Sequence, residues 1–286
     1  MSFAKLLTPL TGGERDGWAI GAALAAAGLF KARVAALYVR PSPSEALPFM
    51  GEGVSGVVIQ DIIDAARVAA DRGLADARAT LERAAAAAGA VMGPAEAGRL
   101  TVSLADAQGY FDDVVADEAV YADLVVFGPV TAGETAPRRR SALEAAMMSA
   151  GRPVLLAPCA PAPVIGRNPC LAWDGNPAAA HAATAALPFL KAAGRVTLFT
   201  IGELEDEDHA GKAEAWLATH GLKVETRRVA QGSRSVGEAL LAECTAAGGD
   251  LLVMGGFGHS RLRQFVLGGT TRHVLNNAGL PIFMTH

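Results

Sequence analysis

Along the chain, short apolar runs alternate with longer stretches whose apolar residues recur every three or four positions. In the C-terminal part, the runs at 170–173, 196–201, 251–254 and 282–285 are apolar or β-branched and too short for helices. They predict strands buried on both faces. Between them, residues 178–193, 210–220, a stretch starting at Ser235, and 271–276 predict helices. Pro188 falls inside the first of these and predicts a kink. Ser235 and Glu238 have the spacing of a capping box, and Val236, Leu240 and Cys244 then share one helix face. The run 222–229 is more polar, which places it near a sheet edge. The N-terminal part shows the same order, with an added helical pattern over 61–88 whose outer face carries many Arg, Asp and Glu residues. Strands that alternate with helices and are apolar throughout imply a mostly parallel sheet with helices on both faces, an α/β fold.

The two parts also match in detail. Ala122-Asp-Leu-Val-Val-Phe-Gly128 corresponds to Gly249-Asp-Leu-Leu-Val-Met-Gly255, and Ala150-Gly-Arg-Pro-Val-Leu-Leu156 to Ala278-Gly-Leu-Pro-Ile-Phe-Met284. Self-similarity on this scale indicates a duplicated domain rather than a short-period solenoid. Ala157-Pro-Cys-Ala-Pro-Ala-Pro163 separates the copies, and its prolines cannot sustain a helix or a central strand. The expected organisation is a first repeat over 1–158, a linker over 159–166 and a second repeat over 167–286, each with a five-stranded sheet. The last strands, 154–157 and 282–285, have apolar edges that would pair the repeats as a pseudo-dimer; a homodimer of chains stays open.

Charge and cysteine content narrow the partners. A net charge of −4 gives no global reason to expect nucleic acid or an anionic membrane. No uncharged apolar stretch reaches the length of about 18 residues that spans a bilayer. Glu14, Arg15 and Asp16 directly before the apolar stretch 18–30 argue against a secretion signal. Cys159, Cys170 and Cys244 are too few and too scattered for a disulfide framework or a metal knuckle, which fits a reducing cytoplasm.

The segment that can carry chemistry follows the fourth strand of the second repeat. Met254 and Gly255 end that strand, and Gly255-x2-Gly258-x9-Gly268 leads into the last helix. In a chain with 32 glycines this spacing alone is weak. Its place makes it informative, because ligands of open α/β sheets lie at the carboxyl ends of the strands. Glycine there lets backbone approach a phosphate, and free N–H groups at a helix start favour anionic oxygens. Thr270 and Thr271 add hydroxyl groups. His259 and Arg261 could meet phosphates or simply be solvated.

This signature, after an apolar strand and before a final helix and strand, resembles the nucleotide-binding loop of the universal stress proteins. Gly258-His-Ser-Arg-Leu-Arg263 with Gly268-Gly-Thr270 looks like the tandem bacterial members, and the resemblance covers the chain twice. It implies two tandem Rossmann-like, adenine nucleotide alpha hydrolase-like domains. It also implies ATP, accompanied by Mg2+ or not, in the second repeat, and a role in stress signalling or protection. By position, Asp174 matches the acid that contacts adenosine, Ala172 and Ile201 the adenine contacts, Met254 and Gly255 the strand end. Gly258, Gly268, Gly269, Thr270 and Thr271 match the phosphate loop. Gly269 departs from the pattern, since the family has Ser or Thr directly after the third glycine.

The first repeat keeps Gly128 but has Thr131 in place of the second glycine, no third glycine, and Thr11 in place of the acid. It is expected to be a structural partner without ligand, with Pro137-Arg-Arg-Arg140 a solvated face. Two further readings compete with nucleotide binding. A Gly-rich turn with Asp174 merely bracing the Asp-Gly turn would make the chain an interaction scaffold. An adenylating enzyme would need a phosphate loop after the first strand, for which Asp174-Gly-Asn-Pro177 is too short. No general base or arginine finger is assignable, so hydrolysis should be slow at most. No protein metal site is expected.

Overall fold

The structure is a computed structural model that describes residues 2–42, 56–131, 135–160, 164–202, 208–256 and 268–286. Its first half runs β1 (Lys5–Leu10), α1 (Asp16–Phe30), β2 (Arg33–Arg40), α2 (Gly56–Ala87), β3 (Val91–Met92) and β4 (Thr101–Gln108). It continues with α3 (Phe111–Ala119), β5 (Leu124–Phe127), α4 (Ala136–Met148) and β6 (Val154–Leu156). The second half runs β7 (Pro169–Ala172), α5 (Pro177–Ala185), α6 (Leu187–Ala193), β8 (Arg195–Ile201) and α7 (His209–Thr219). It closes with β9 (Lys223–Val229), α8 (Val236–Ala246), β10 (Leu251–Gly255), α9 (Gly269–Asn277) and β11 (Ile282–Thr285).

All strands among the described residues join one sheet of eleven, in the order β3-β4-β2-β1-β5-β6-β11-β10-β7-β8-β9. Each adjacent pair is parallel except β6–β11, which is antiparallel and sets Leu156 against Ile282 and Val154 against Met284. The two halves thus share a sheet through their last strands, as the apolar edges of those segments predict. The expectation of five strands per half is corrected for the first, which gains the two-residue strand β3 on β4. Gly89 and Gly93, both at positive φ, flank β3 and allow the chain to touch the edge and leave again.

Side-chain alternation along the strands feeds two cores. Leu6, Val34, Val126, Leu171, Leu198, Val253 and Phe283 point to the face covered by α1, α2, α5, α6 and α7. Leu7, Leu37, Val125, Phe127, Cys170, Leu252 and Met284 point to the face covered by α3, α4, α8 and α9. Both cores run through the join between halves. On the first face Phe3 and Phe30 meet Phe189, with ring centroids 5.3 Å and 5.2 Å away, and Phe189 meets Phe283 at 6.0 Å.

The helical stretch 178–193 divides at Ala186 into α5 and α6, with Pro188 at the start of α6, where its missing N–H costs nothing. Ser235 caps α8 by accepting a hydrogen bond from the Glu238 amide at 3.2 Å. The polar strand β9 is one edge of the sheet.

Helix α2 extends the 61–88 pattern to 32 residues and packs on α1 and β2 through Ala70, Ala77, Leu81 and Ala85. Two glycines permit the approach. A Cβ on Gly12, at φ +79°, would lie 2.7 Å from the Gly73 Cα, and the Tyr38 hydroxyl fills the space beside Gly73. Tyr38 Oη donates to the Ala70 carbonyl at 3.0 Å. Arg40 pairs with Asp71 of α2 and Asp106 of β4 at 2.6 and 2.8 Å.

Candidate functional site

The second half has its topological switch point between β7 and β10. Chain order leads from β7 toward β8 on one side and from β10 toward β11 on the other, which opens a crevice at the strands' carboxyl ends. The crevice holds a cleft of about 180 Å³ lined by Ala172, Asp174, Ile201, Met254, Gly255, Thr270 and Thr271 among others. These seven were named from the sequence, and the fold gathers them from four separate segments. The walls come from the start of α5 (Ala178, Ala179) and from α8 (Val236, Leu240), with Phe199 of β8 beneath. The lining therefore has an apolar floor and sides, with polar groups on one rim.

That rim is set by two helix N-termini. Gly268 caps α9 in an extended conformation, and no side chain among the described residues caps the helix. Asn176 precedes α5, also without a side-chain cap, and Pro177 follows it. Uncapped amides and aligned helix dipoles make this rim favourable to negative charge. Thr271 is buried at the same end.

The glycines differ in what they are for. A Cβ on Gly255 would stand 2.6 Å from the Ala178 carbonyl carbon and 2.8 Å from the Ala179 amide nitrogen. Gly255 thus lets the first turn of α5 sit on β10 while it also lines the cleft. Gly268 and Gly269 have nothing within 4 Å of a Cβ, and neither has positive φ. No contact or backbone strain among the described residues requires a glycine at either position. Gly258, His259 and Arg261 lie outside the described residues.

Asp174 stands two residues beyond β7, and one carboxylate oxygen accepts from the Asn176 amide at 3.0 Å, the other from Asn176 Nδ2 at 3.0 Å. It braces the turn and still reaches the cleft. A Cβ on Gly175, at φ +78°, would lie 3.1 Å from the His209 ring, so the start of α7 closes over the turn from outside. Sequence reasoning missed Trp173, Asn176, Ala178, Ala179, Phe199, Val236 and Leu240 as cleft residues. Val236 and Leu240 carried a signal, their shared helix face, which reads equally as core.

At the corresponding place in the first half a cavity of about 630 Å³ is lined by Thr11, Gly12, Tyr38, Gly73 and Arg138 among others, and the backbone donors beside it are taken by a side chain of the same half. A Cβ on Gly128, the counterpart of Gly255, would lie 3.2 Å from the Arg15 carbonyl oxygen, so the start of α1 sits close to the end of β5 as α5 sits on β10. There the carboxylate of Asp16 accepts from the amides of Thr11 and Gly12 at 2.9 and 2.7 Å and from the Thr11 hydroxyl at 3.2 Å. It occupies backbone donors that an external anion would use. Burial pushes its pKa up from 3.8 to about 6, against the lowering effect of those hydrogen bonds and of Arg139. The reading of 137–140 as a solvated face is corrected for Arg139, which is 3% exposed. Arg138 lies over the Phe111 ring at 5.3 Å, and only Arg140 and Pro137 are exposed. A buried carboxylate nearby favours a buried guanidinium, a pairing that residue order does not show.

Comparison with known proteins bears on the family of the second half and on the fold of the whole. Residues 168–286 match the model of the universal stress protein family. A universal stress protein of Synechocystis is 33% identical over 89 residues, which span 30% of this chain and 30% of that protein's length. A universal stress protein of Archaeoglobus fulgidus superposes over 98% of this chain and 95% of its own with a TM-score of 0.69 at 15% identity. A functionally unknown protein of Pseudomonas aeruginosa superposes over 99% and 92% with a TM-score of 0.57 at 12% identity. At such identities the superpositions speak for the fold alone. Residues 168–286 form a universal stress protein domain.

Proposed function

We propose that the chain is a tandem of two universal stress protein repeats, 1–158 and 167–286, and that the second binds ATP or a related adenine nucleotide. In this reading the protein acts in the cytoplasm and signals or protects under stress by being occupied or empty. The observation that carries it is the convergence of Ala172, Asp174, Ile201, Met254, Thr270 and Thr271 on one cleft beside the uncapped start of α9. The cleft is smaller than the ~300–1,000 Å³ of sites that enclose whole drug-sized ligands. It suits a flat apolar ring held between Ala172, Ile201, Val236 and Leu240, with sugar and phosphates outside. Asp174 would take the sugar hydroxyls, and the amides of Gly269 to Thr271 the phosphates. Among the described residues no three His, Cys, Asp or Glu side chains cluster, so Mg2+ would arrive on the phosphates.

Titration calorimetry with ATP on the wild type and on Gly268→Val tests the reading. Saturable heat in the wild type, lost in a variant that still unfolds cooperatively, is the expected result. No heat, together with purified protein that releases no nucleotide on denaturation, would overturn it. One set of observations favours a ligand-free scaffold: Gly255 serves helix packing, Asp174 braces its own turn, and Gly269 replaces the family's hydroxyl. The same titration separates the two.

A further inference from the structure

Beneath the cleft lie two thiols that the nucleotide reading does not use. Cys170 of β7 is 1% exposed and Cys244 of α8 is fully buried. Their sulfurs stand 2.5 and 2.6 Å from the point that a Cβ on Gly249 would occupy, so the missing side chain of Gly249 creates the space in which they meet. The Cys244 thiol is pushed well above the ordinary thiol range, first by its hydrogen bond with Cys170 and then by burial. The pair is positioned by the elements that build the cleft. Cys170 precedes Ala172 by two residues on the same strand face, and Cys244 follows Leu240 by one helical turn. Ala172 and Leu240 both line the cleft, so the thiols form the next layer under its floor.

We propose that Cys170 and Cys244 are an oxidation site, joined in an intramolecular disulfide by hydrogen peroxide that enters through the cleft. The Cys170 sulfur attacks one peroxide oxygen, the O–O bond breaks, and water leaves with the thiol proton, giving a sulfenic acid. The Cys244 sulfur then attacks the Cys170 sulfur, the S–O bond breaks, and a second water departs with the Cys244 proton. Two thiols are oxidised and one peroxide is reduced to two waters. Burial sets the selectivity: a small neutral oxidant can pass the cleft floor, whereas glutathione disulfide is too large. It also makes the reaction slow, because Cys244 resists deprotonation.

Closing the bond brings the two neighbouring sulfurs to about 2.05 Å from each other. That draws α8 toward β7 and moves Val236 and Leu240 at the cleft wall. A Cβ on Gly237 of α8 would be 3.1 Å from the Thr270 carbonyl oxygen, so α8 and the start of α9 must move together. The consequence for ligand affinity rests on the proposed nucleotide reading; the disulfide itself does not.

The test treats the reduced full-length protein with hydrogen peroxide, blocks free thiols in denaturant, and digests with trypsin. Mass spectrometry should find peptide 168–191 linked to peptide 235–261 with two hydrogens lost. The linkage should persist in Cys159→Ser and vanish in Cys170→Ala and Cys244→Ala. Because the wild type is read by mass, the result depends neither on those variants folding nor on ATP binding. Recovery of both cysteines as blocked thiols would overturn the proposal, as would Cys170 or Cys244 found only as unlinked sulfinic or sulfonic acid.

Discussion

Asp16 shows how much one side chain can hold. Its carboxylate fastens the turn after β1, yet it is buried, and burial raises its pKa from 3.8 to about 6. Between those values the folded protein binds the proton more tightly than the unfolded chain does. Stability attributable to Asp16 is therefore fully present below about pH 4, is lost as pH rises through about 6, and stays level above that. The shift corresponds to about 3 kcal/mol at most. Asp16→Asn should flatten this slope, so wild type and variant, compared by urea denaturation from pH 4 to 7, should differ in pH dependence and not only in offset. Parallel curves would mean that the carboxylate is not held as described. At Gly255, replacement by Ala should cost about 1–3 kcal/mol, since the new methyl collides with α5 backbone and not with a yielding side chain. An unchanged denaturation midpoint would mean that α5 can retreat freely.

At the scale of elements, local chemistry explains why most of the fold could be read directly. The apolar runs have the period of buried strands, Pro188 starts a new helix, and Ser235 caps α8. Ser235→Ala should accordingly lower stability by about 1 kcal/mol. The loss should be accompanied by faster amide exchange at Glu238, whose N–H loses its acceptor; exchange at unchanged rates would refute the cap. What escaped was whatever depends on distant partners. Strand β3 exists only because β4 offers an edge, and two residues leave no periodic trace. Arg139 looks like part of a solvated run until Asp16 is brought beside it by the fold. Val236 and Leu240 obey the same helical period whether they face a core or a cleft, and only the gap between β7 and β10 separates the cases. The positions of Ala172, Asp174 and Ile201 were read from the resemblance to the universal stress proteins, and they converge with Thr271 because strand ends and a helix start meet at the crevice.

For the whole molecule the question is whether the two halves are separate bodies. The sheet passes from β6 to β11 without interruption, and both cores cross the same line. Phe189 is the centre of that crossing, fully buried, touching Phe3 and Phe30 of the first half and Phe283 of its own. Removing the ring leaves a cavity that neither half can fill alone, and Phe189→Ala should cost about 3–5 kcal/mol. If the join is part of one cooperative core, the variant still unfolds in a single transition, shifted to lower denaturant, with circular dichroism and tryptophan fluorescence superimposable. Trp18 reports on the first half while Trp173 and Trp216 report on the second, so fluorescence of Trp18→Phe and of Trp173→Phe with Trp216→Phe follows each half in turn. Midpoints that separate between these backgrounds would mean that the halves fold as neighbours pressed together. Midpoints that move together place the join inside the fold, where a change around the cleft of one half has a rigid path to the other.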